Sequence, residues 1–476
     1  MWKAAARVGI VALGAILAGR ADPVGAEELT ELTLRPHARV LGVQIGATAS
    51  GAELVIASSD GGTPAQRFLT MYVLRDGQLR QVRQQRVPDD VVAWTLGDFG
   101  GGRRPVYLTA RSVFALSEQS DAPRLLVRDT RLLFATPQPG ELPFWDGAVD
   151  LDGDRRDDLV LPDATGYRVY RHQAGGELAA AGRIDIDYEF ETGSDGKQDA
   201  RASGVLPPFV SARSLRRLAP ADLDADARID LLALRDERLF AFLQSAAGQF
   251  GAAPSWERSF ARSKTLGSTR MGDANRDGRA DVVVTETDTR ELVTRLRIFL
   301  ADAQGLPEQP TQILKLSGLS DDAELVDVDR DGLQDLAVLS FDKGFLQALA
   351  AGKVSFSYQV FRFRADEGRF ASAPDLDFET TLDVSLEPDD DKKGPALARM
   401  LGDFDGDGLC DLVIVSNDQL RIHRVKRNGS RLEVDASAAW TRKVTVENVF
   451  AGDLDASGRP EIVVRYADAV DVLVVP

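Results

Sequence analysis

Short apolar runs recur along the chain at 159–161, 231–234, 282–284, 336–339, 412–415 and 462–464. They are rich in leucine, valine and isoleucine and too short for buried helices, so they read as buried strands. Each directly follows an acidic nonapeptide: DLDGDRRDD from Asp150, DLDADARID from Asp222, DANRDGRAD from Asp273, DVDRDGLQD from Asp327, DFDGDGLCD from Asp403 and DLDASGRPE from Asp453. A further apolar stretch precedes each nonapeptide, so every unit opens strand, acidic loop, strand.

A second landmark supports the register. Gly176, Gly248 and Gly429 each lie 26 residues after the first aspartate of their unit. Each sits in a turn-like pair such as Asn428-Gly429, between strand-like stretches such as 420–425 and 431–434. Glycine accepts the positive φ of tight hairpins. Gln304-Gly305 and Glu367-Gly368 play the same part in longer units. Each unit then holds four strands, the plan of a propeller blade. Two degenerate units come first: one over 40–45, 54–57, 68–74 and 79–87, and one around Gly97-Asp98-Phe99, 106–109 and 113–116. From Asp98 the spacings are 52, 72, 51, 54, 76 and 50 residues. The expectation is an all-β propeller of four-stranded antiparallel blades, eight in number, with seven as the rival count. The last unit stops after 462–465 and 470–475, one strand short. The alternating segment 29–34 is expected to supply that strand and close the ring, removing an exposed sheet edge.

Repetition outweighs the several domains that 476 residues would suggest. Residues 1–26 read as a signal peptide: Lys3 and Arg7, an apolar run over 8–17, then small residues at Val24-Gly25-Ala26. Residues 27–476 then form one propeller domain. The two long spacings mark insertions near 191–208 and 385–395, expected to project as loops. No later stretch has the length of a membrane span. The mature chain is therefore expected in a periplasm or outside the cell, without membrane insertion. Its one cysteine, Cys410, excludes an internal disulfide. The formal charge is −17, and the segment 1–26 contributes +2 from Lys3, Arg7 and Arg20 against Asp22, leaving −19. That balance disfavours nucleic acid as a partner.

Much of the acidity sits in the nonapeptides, which favours cation binding. Calcium takes six to eight oxygen ligands in a forgiving geometry. Carboxylates at positions 1, 3, 5 and 9 can converge on one ion, with a backbone carbonyl at position 7. Position 6 favours glycine because the chain turns sharply. Three loops are complete: Asp273, Asn275, Asp277 and Asp281; Asp327, Asp329, Asp331 and Asp335; and Asp403, Asp405, Asp407 and Asp411. The set Asp150, Asp152, Asp154 and Asp158 carries Arg155 at position 6. The set Asp222, Asp224, Asp226 and Asp230 carries Ala227 there. The loop with Asp453, Asp455, Ser457 and Glu461 has lost one charge and lengthened another arm. An EF-hand would need a glutamate at position 12 and flanking helices. Position 12 is Val284, Val338 or Ile414 in the complete loops, each within a strand-like run.

These units resemble the FG-GAP or VCBS repeats of integrin α-subunit propellers and many bacterial exported proteins. Residues 401–412, LGDFDGDGLCDL, match best. The resemblance runs from about residue 40 to the C-terminus, strongly in the last six units. It implies that calcium loops join the first two strands of a blade and are structural, with partners bound elsewhere on the ring. His37, His172 and His423 form no metal-ligand spacing and no nucleophilic constellation, so no catalytic residues are assigned. The expected function is a calcium-braced binding or scaffold protein for a protein or glycan. A lectin using Trp94, Trp145, Trp256 or Trp440, or a calcium-dependent polysaccharide lyase, are the alternatives.

Overall fold

The computed structural model describes residues 29–48, 51–100, 102–116, 123–128, 137, 140–163, 165–174, 176–186, 189–193, 210–214, 218–224, 226–235, 238–259, 266–288, 291–320, 323–341, 353–383, 397–416, 419–443 and 448–475. Residues 1–26, read above as a signal peptide, and the insertion expected near 385–395 lie outside these residues. Among them no helix is long and apolar enough to cross a membrane.

After β1 (Thr30–Leu34) the chain runs through eight four-stranded antiparallel blades. Blade 1 holds β2–β5 (Arg39–Thr48, Gly51–Ser59, Arg67–Arg75, Gln78–Val87), and blade 2 holds β6–β9 (Val91–Asp98, Arg103–Thr109, Ser112–Ala115, Arg124–Arg128). Blade 3 holds β10–β13 (Ala148–Val149, Asp158–Asp163, Gly166–His172, Leu178–Asp185). A two-stranded ribbon, β14 (Glu189–Gly193) with β15 (Val210–Ser214), leads to blade 4, β16–β19 (Leu218–Ala221, Asp230–Arg235, Arg238–Phe242, Trp256–Ser259). Blade 5 holds β20–β23 (Leu266–Gly272, Asp281–Asp288, Val293–Phe299, Gln312–Ser317).

Blade 6 pairs β24 (Ala323–Val326), β25 (Asp335–Phe341), β26 (Lys353–Phe361) and β29 (Leu376–Asp383), with the ribbon β27–β28 (Phe363–Arg364, Arg369–Phe370) inserted before its last strand. Blade 7 pairs β30 (Leu397–Gly402), β31 (Asp411–Ser416), β32 (Gln419–His423) and β35 (Trp440–Lys443), and carries the ribbon β33–β34 (Val425–Asn428, Arg431–Val434). Blade 8 is β36–β38 (Asn448–Gly452, Glu461–Arg465, Val470–Val474), completed by β1 in the register Thr30↔Val474 to Leu34↔Val470. The first described strand thus closes the ring, as expected.

Two expectations need correction. The turn at Gly429 belongs to β33–β34, not to the hairpin between the last two strands of blade 7; 431–434 is not the fourth blade strand, which is Trp440–Lys443. Glu367-Gly368 likewise sits in β27–β28 rather than at the blade's own turn. Hairpin chemistry reports a turn, but not which sheet its strands join. Of the insertion near 191–208, the described end, 191–193, is part of the β14–β15 ribbon.

Packing explains the composition of each strand. The second strands lie between neighbouring blades with both faces covered, so Asp411–Ser416 is buried at every residue. Outer strands alternate, as in Gln312–Ser317. The eight apolar clusters fall one at each interface between blades. Val40, Leu54, Ile56 and Tyr72 of blade 1 pack on Leu454, Val463, Val470 and Val472 of blade 8. The aromatics of β26 serve this packing: Phe356 and Tyr358 join Ala398, Met400, Leu412 and Ile414 of blade 7. Polar anchors add to it. Buried Arg67 donates to the carbonyls of Pro88, Asp89 and Val91 where blade 1 passes into blade 2, and to that of Glu141 between blades 2 and 3.

Candidate metal centres

All six acidic loops join the first and second strands of their blades, and antiparallel order places them on one face of the ring. Their shape comes from left-handed residues. Position 6 has positive φ in every loop: Arg155 66°, Ala227 64°, Gly278 86°, Gly332 89°, Gly408 88° and Gly458 83°. The loops with Arg155 and Ala227 therefore adopt the same turn as those with glycine, at some conformational cost. Position 4 is left-handed too, at Gly153, Arg276, Arg330, Gly406 and Ala456. The sequence reading missed that second turn, although glycine at position 4 in two loops was its trace.

Within each loop the carboxylates hold the backbone. The position-1 aspartates accept the position-6 N–H: Asp150 from Arg155, Asp222 from Ala227, Asp273 from Gly278, Asp327 from Gly332, Asp403 from Gly408 and Asp453 from Gly458, all within 2.8–3.0 Å. The position-5 aspartates Asp154, Asp226, Asp277, Asp331 and Asp407 accept the N–H of position 7. The position-9 acids are buried. Each accepts the N–H of position 2 of its loop through one oxygen; the other oxygens of Asp158, Asp230, Asp281, Asp335 and Asp411 accept an N–H from the end of the third strand or just beyond it.

Five loops bring three acidic ligand atoms within 4.8 Å of one another: Asp150, Asp152 and Asp154; Asp222, Asp224 and Asp230; Asp327, Asp329 and Asp331; Asp403, Asp405 and Asp411; and Asp453, Asp455 and Glu461. Asp158, Asp226, Asp335 and Asp407 complete their loops outside these triplets. The Asp273 loop shows no such triplet. Its Asp277 is drawn to Arg279 at 2.7 Å and to the side-chain amide of Asn275 at 3.0 Å. The loop ending in Glu461 does converge, its longer side chain reaching the same point.

Guanidinium groups meet these carboxylates in five loops. Asp152 pairs with Arg171, Asp226 with Arg228, Asp277 with Arg279, Asp329 with Arg362 and Arg427, Asp403 with Arg330 and Asp405 with Arg424. Arg362 and Arg427 lie 33 and 98 residues from Asp329, a separation that left no sign in the loop's own sequence. One carboxylate oxygen is left unsatisfied: Asp329 Oδ1 is buried with no hydrogen-bond partner. A hard divalent cation suits such an all-oxygen donor set.

The loops are also stitched to one another. The position-8 N–H of Ile229, Gln334 and Cys410 donates to the position-2 carbonyl of the preceding blade's loop, at Leu151, Ala274 and Val328. Asp157 to Asp98 and Ala280 to Asp222 are variants of the same link. Blade 8 has Pro460 at this position, which has no N–H; it packs against Gly402 instead. In blade 2, which has lost the acidic loop, Arg103 binds Asp157 of blade 3 at 3.2 Å. Cys410 is buried and its thiol is pushed up to about 12, chiefly by burial, so it is a packed residue. His172 and His423 are also buried.

Burial pushes Asp158, Asp281, Asp335 and Asp411 up to about 7, Asp230 to about 6 and Glu461 to about 7; backbone donors oppose the shift and neighbouring carboxylates add to it. A carboxyl whose folded value is raised favours the fold while protonated and withdraws that contribution as pH rises through the folded value. The cation-free ring is therefore expected to lose stability as pH climbs from the ordinary carboxylate range through about 7. Melting curves in chelator across that range should fall with pH, and calcium should flatten the slope. A flat profile in chelator would contradict this account.

The FG-GAP-like repeat family matches residues 222–284 and 403–464, which span the acidic loops of blades 4, 5, 7 and 8. No curated protein matches the chain. Among solved structures, Sqt1 from Chaetomium thermophilum is similar at 13% identity and TM-score 0.46, over 94% of this chain and 100% of that one. An Agrocybe aegerita lectin is similar at 13% identity and TM-score 0.42, over 92% and 99%. A putative 6-phosphogluconolactonase from Bacteroides fragilis is similar at 12% identity and TM-score 0.39, over 83% and 96%. On its repeats and its strand order, the chain is an eight-bladed β-propeller carrying FG-GAP-like repeats.

Proposed function

We propose that this chain is an exported ring braced by several calcium ions, presenting its loops to a protein or glycan of the cell envelope or exterior. The observation that carries the reading is the recurrence of one acidic loop at one position in six blades, with ligand oxygens converging in five. Bound calcium would neutralise the clustered carboxylates of each loop. The chain's own residues do the rest: the position-1 and position-5 aspartates hold each loop's turns, the position-9 acids tie it to the third strand, and the position-8 links join blade to blade. Such a frame is rigid, and its partner would meet loops rather than the stapled core.

A sugar-binding version has less to draw on. Trp94 and Trp440 are buried, and the half-buried rings of Trp145 and Trp256 are backed by Tyr167 and Arg258. The test is a pull-down: immobilised mature protein, envelope extract with calcium, elution by a chelator. One or a few recovered proteins are expected. Recovered polysaccharide would move the case to a lectin, and shortened chains to a lyase. Recovery of nothing in a calcium-dependent manner would sink the binding role.

A further inference from the structure

The β33–β34 ribbon of blade 7 lies on blade 6, and its attachment converges on one calcium-loop residue. Arg427 of the ribbon reaches Asp329 Oδ2 at 3.2 Å. Arg362 of blade 6 donates to the same oxygen at 2.8 Å and, through its other terminal nitrogen, to the carbonyl of Ser430 in the ribbon's turn at 2.7 Å. Leu432 N–H donates to the carbonyl of Asp375, whose carboxylate is bound by Arg362 and Arg364. Val425 and Leu432 are buried in the cluster between blades 6 and 7. Asp329 is position 3 of the blade-6 loop, and its side chain is 5% exposed. Its ligand oxygen lies within 4.8 Å of those of Asp327 and Asp331, while Oδ1 has no hydrogen-bond partner.

We propose that Asp329 links the blade-6 cation site to the ribbon, with Oδ1 free to ligate a cation while Oδ2 holds Arg362 and Arg427. The two oxygens divide the tasks, so ligation and ribbon attachment coexist. Without a cation the four carboxylates of the loop repel one another and loosen it. Calcium then orders Asp329, and with it the ribbon. Arg362 and Arg427 are positioning residues, and a surface element of the ring becomes sensitive to calcium. The inference rests on the calcium reading above.

Hydrogen exchange of the full mature chain tests it, with calcium stoichiometry measured on the same sample. Amides of 425–434 should exchange about tenfold more slowly in calcium than in chelator, beyond any change in β5, whose blade has no acidic loop. In Arg427→Ala, at a half-exposed site, that excess should shrink markedly while the number of bound ions stays the same. Arg427→Gln serves if the alanine variant folds poorly. Calcium binding without excess protection of the ribbon overturns the linkage and leaves the bracing intact. Full protection in the Arg427 variants also overturns it. A wild-type chain that binds no calcium overturns both readings.

Discussion

Removing calcium from the mature chain should lower its thermal midpoint by about 10 °C or more, the sum of several ions each stabilising the folded state by mass action. The cause is electrostatic. Each loop gathers three or four acids, with the position-9 acid fully buried, and arginines offset only part of that charge. Among the described residues, the loops also carry the hydrogen bonds joining blades 2 to 7 on this face, so loosening a loop loosens its neighbour. Scanning calorimetry with and without chelator reads the effect. Refilling with calcium should restore the midpoint and refilling with magnesium should do so less well, because magnesium dehydrates reluctantly and demands a stricter geometry. An unchanged midpoint on chelation would remove the bracing role.

Deleting the chain up to Leu34 should be nearly as damaging, at about 5 kcal/mol, from the partial burial of Leu29, Leu32 and Leu34 and the loss of a hydrogen bond to a carboxylate. The strand Thr30–Leu34 covers Val470–Val474, packs Leu32 and Leu34 beside the blade 8–blade 1 cluster, and bonds Thr33 to buried Asp471 at 2.7 Å. Its loss also exposes an unpaired strand edge, which invites association with other chains. Denaturant unfolding and light scattering of a chain starting at Arg35 check both consequences. A monomer of unchanged stability would show that blade 8 stands on three strands.

Much of this architecture was legible because it repeats. A nonapeptide followed by a short aliphatic run marks the loop and second strand of a blade wherever it occurs, and six occurrences set the register. The degenerate first two blades show themselves by strand-like pieces, with Asp76-Gly77 at a hairpin and Gly97-Asp98-Phe99 as a remnant of the loop motif. The ribbons at Gly368 and Gly429 were misassigned because a turn signal is local, whereas the choice of sheet depends on which blade offers a partner. The ligand sets were legible as side-chain chemistry, but their convergence was not: Asn275 and Arg279 draw Asp277 aside, while Glu461 reaches in.

The sequence by itself determined the repeat, the strand-loop-strand order, the acidic donors and the spare strand for closure, since these follow from periodicity and residue type over a few neighbours. Only the tertiary structure decided which arginines meet which carboxylates, that position 4 turns left-handed beside position 6, and that the loops are bonded from blade to blade. Those features join residues tens to hundreds of positions apart, and local pattern carries no information about partners supplied by the next blade.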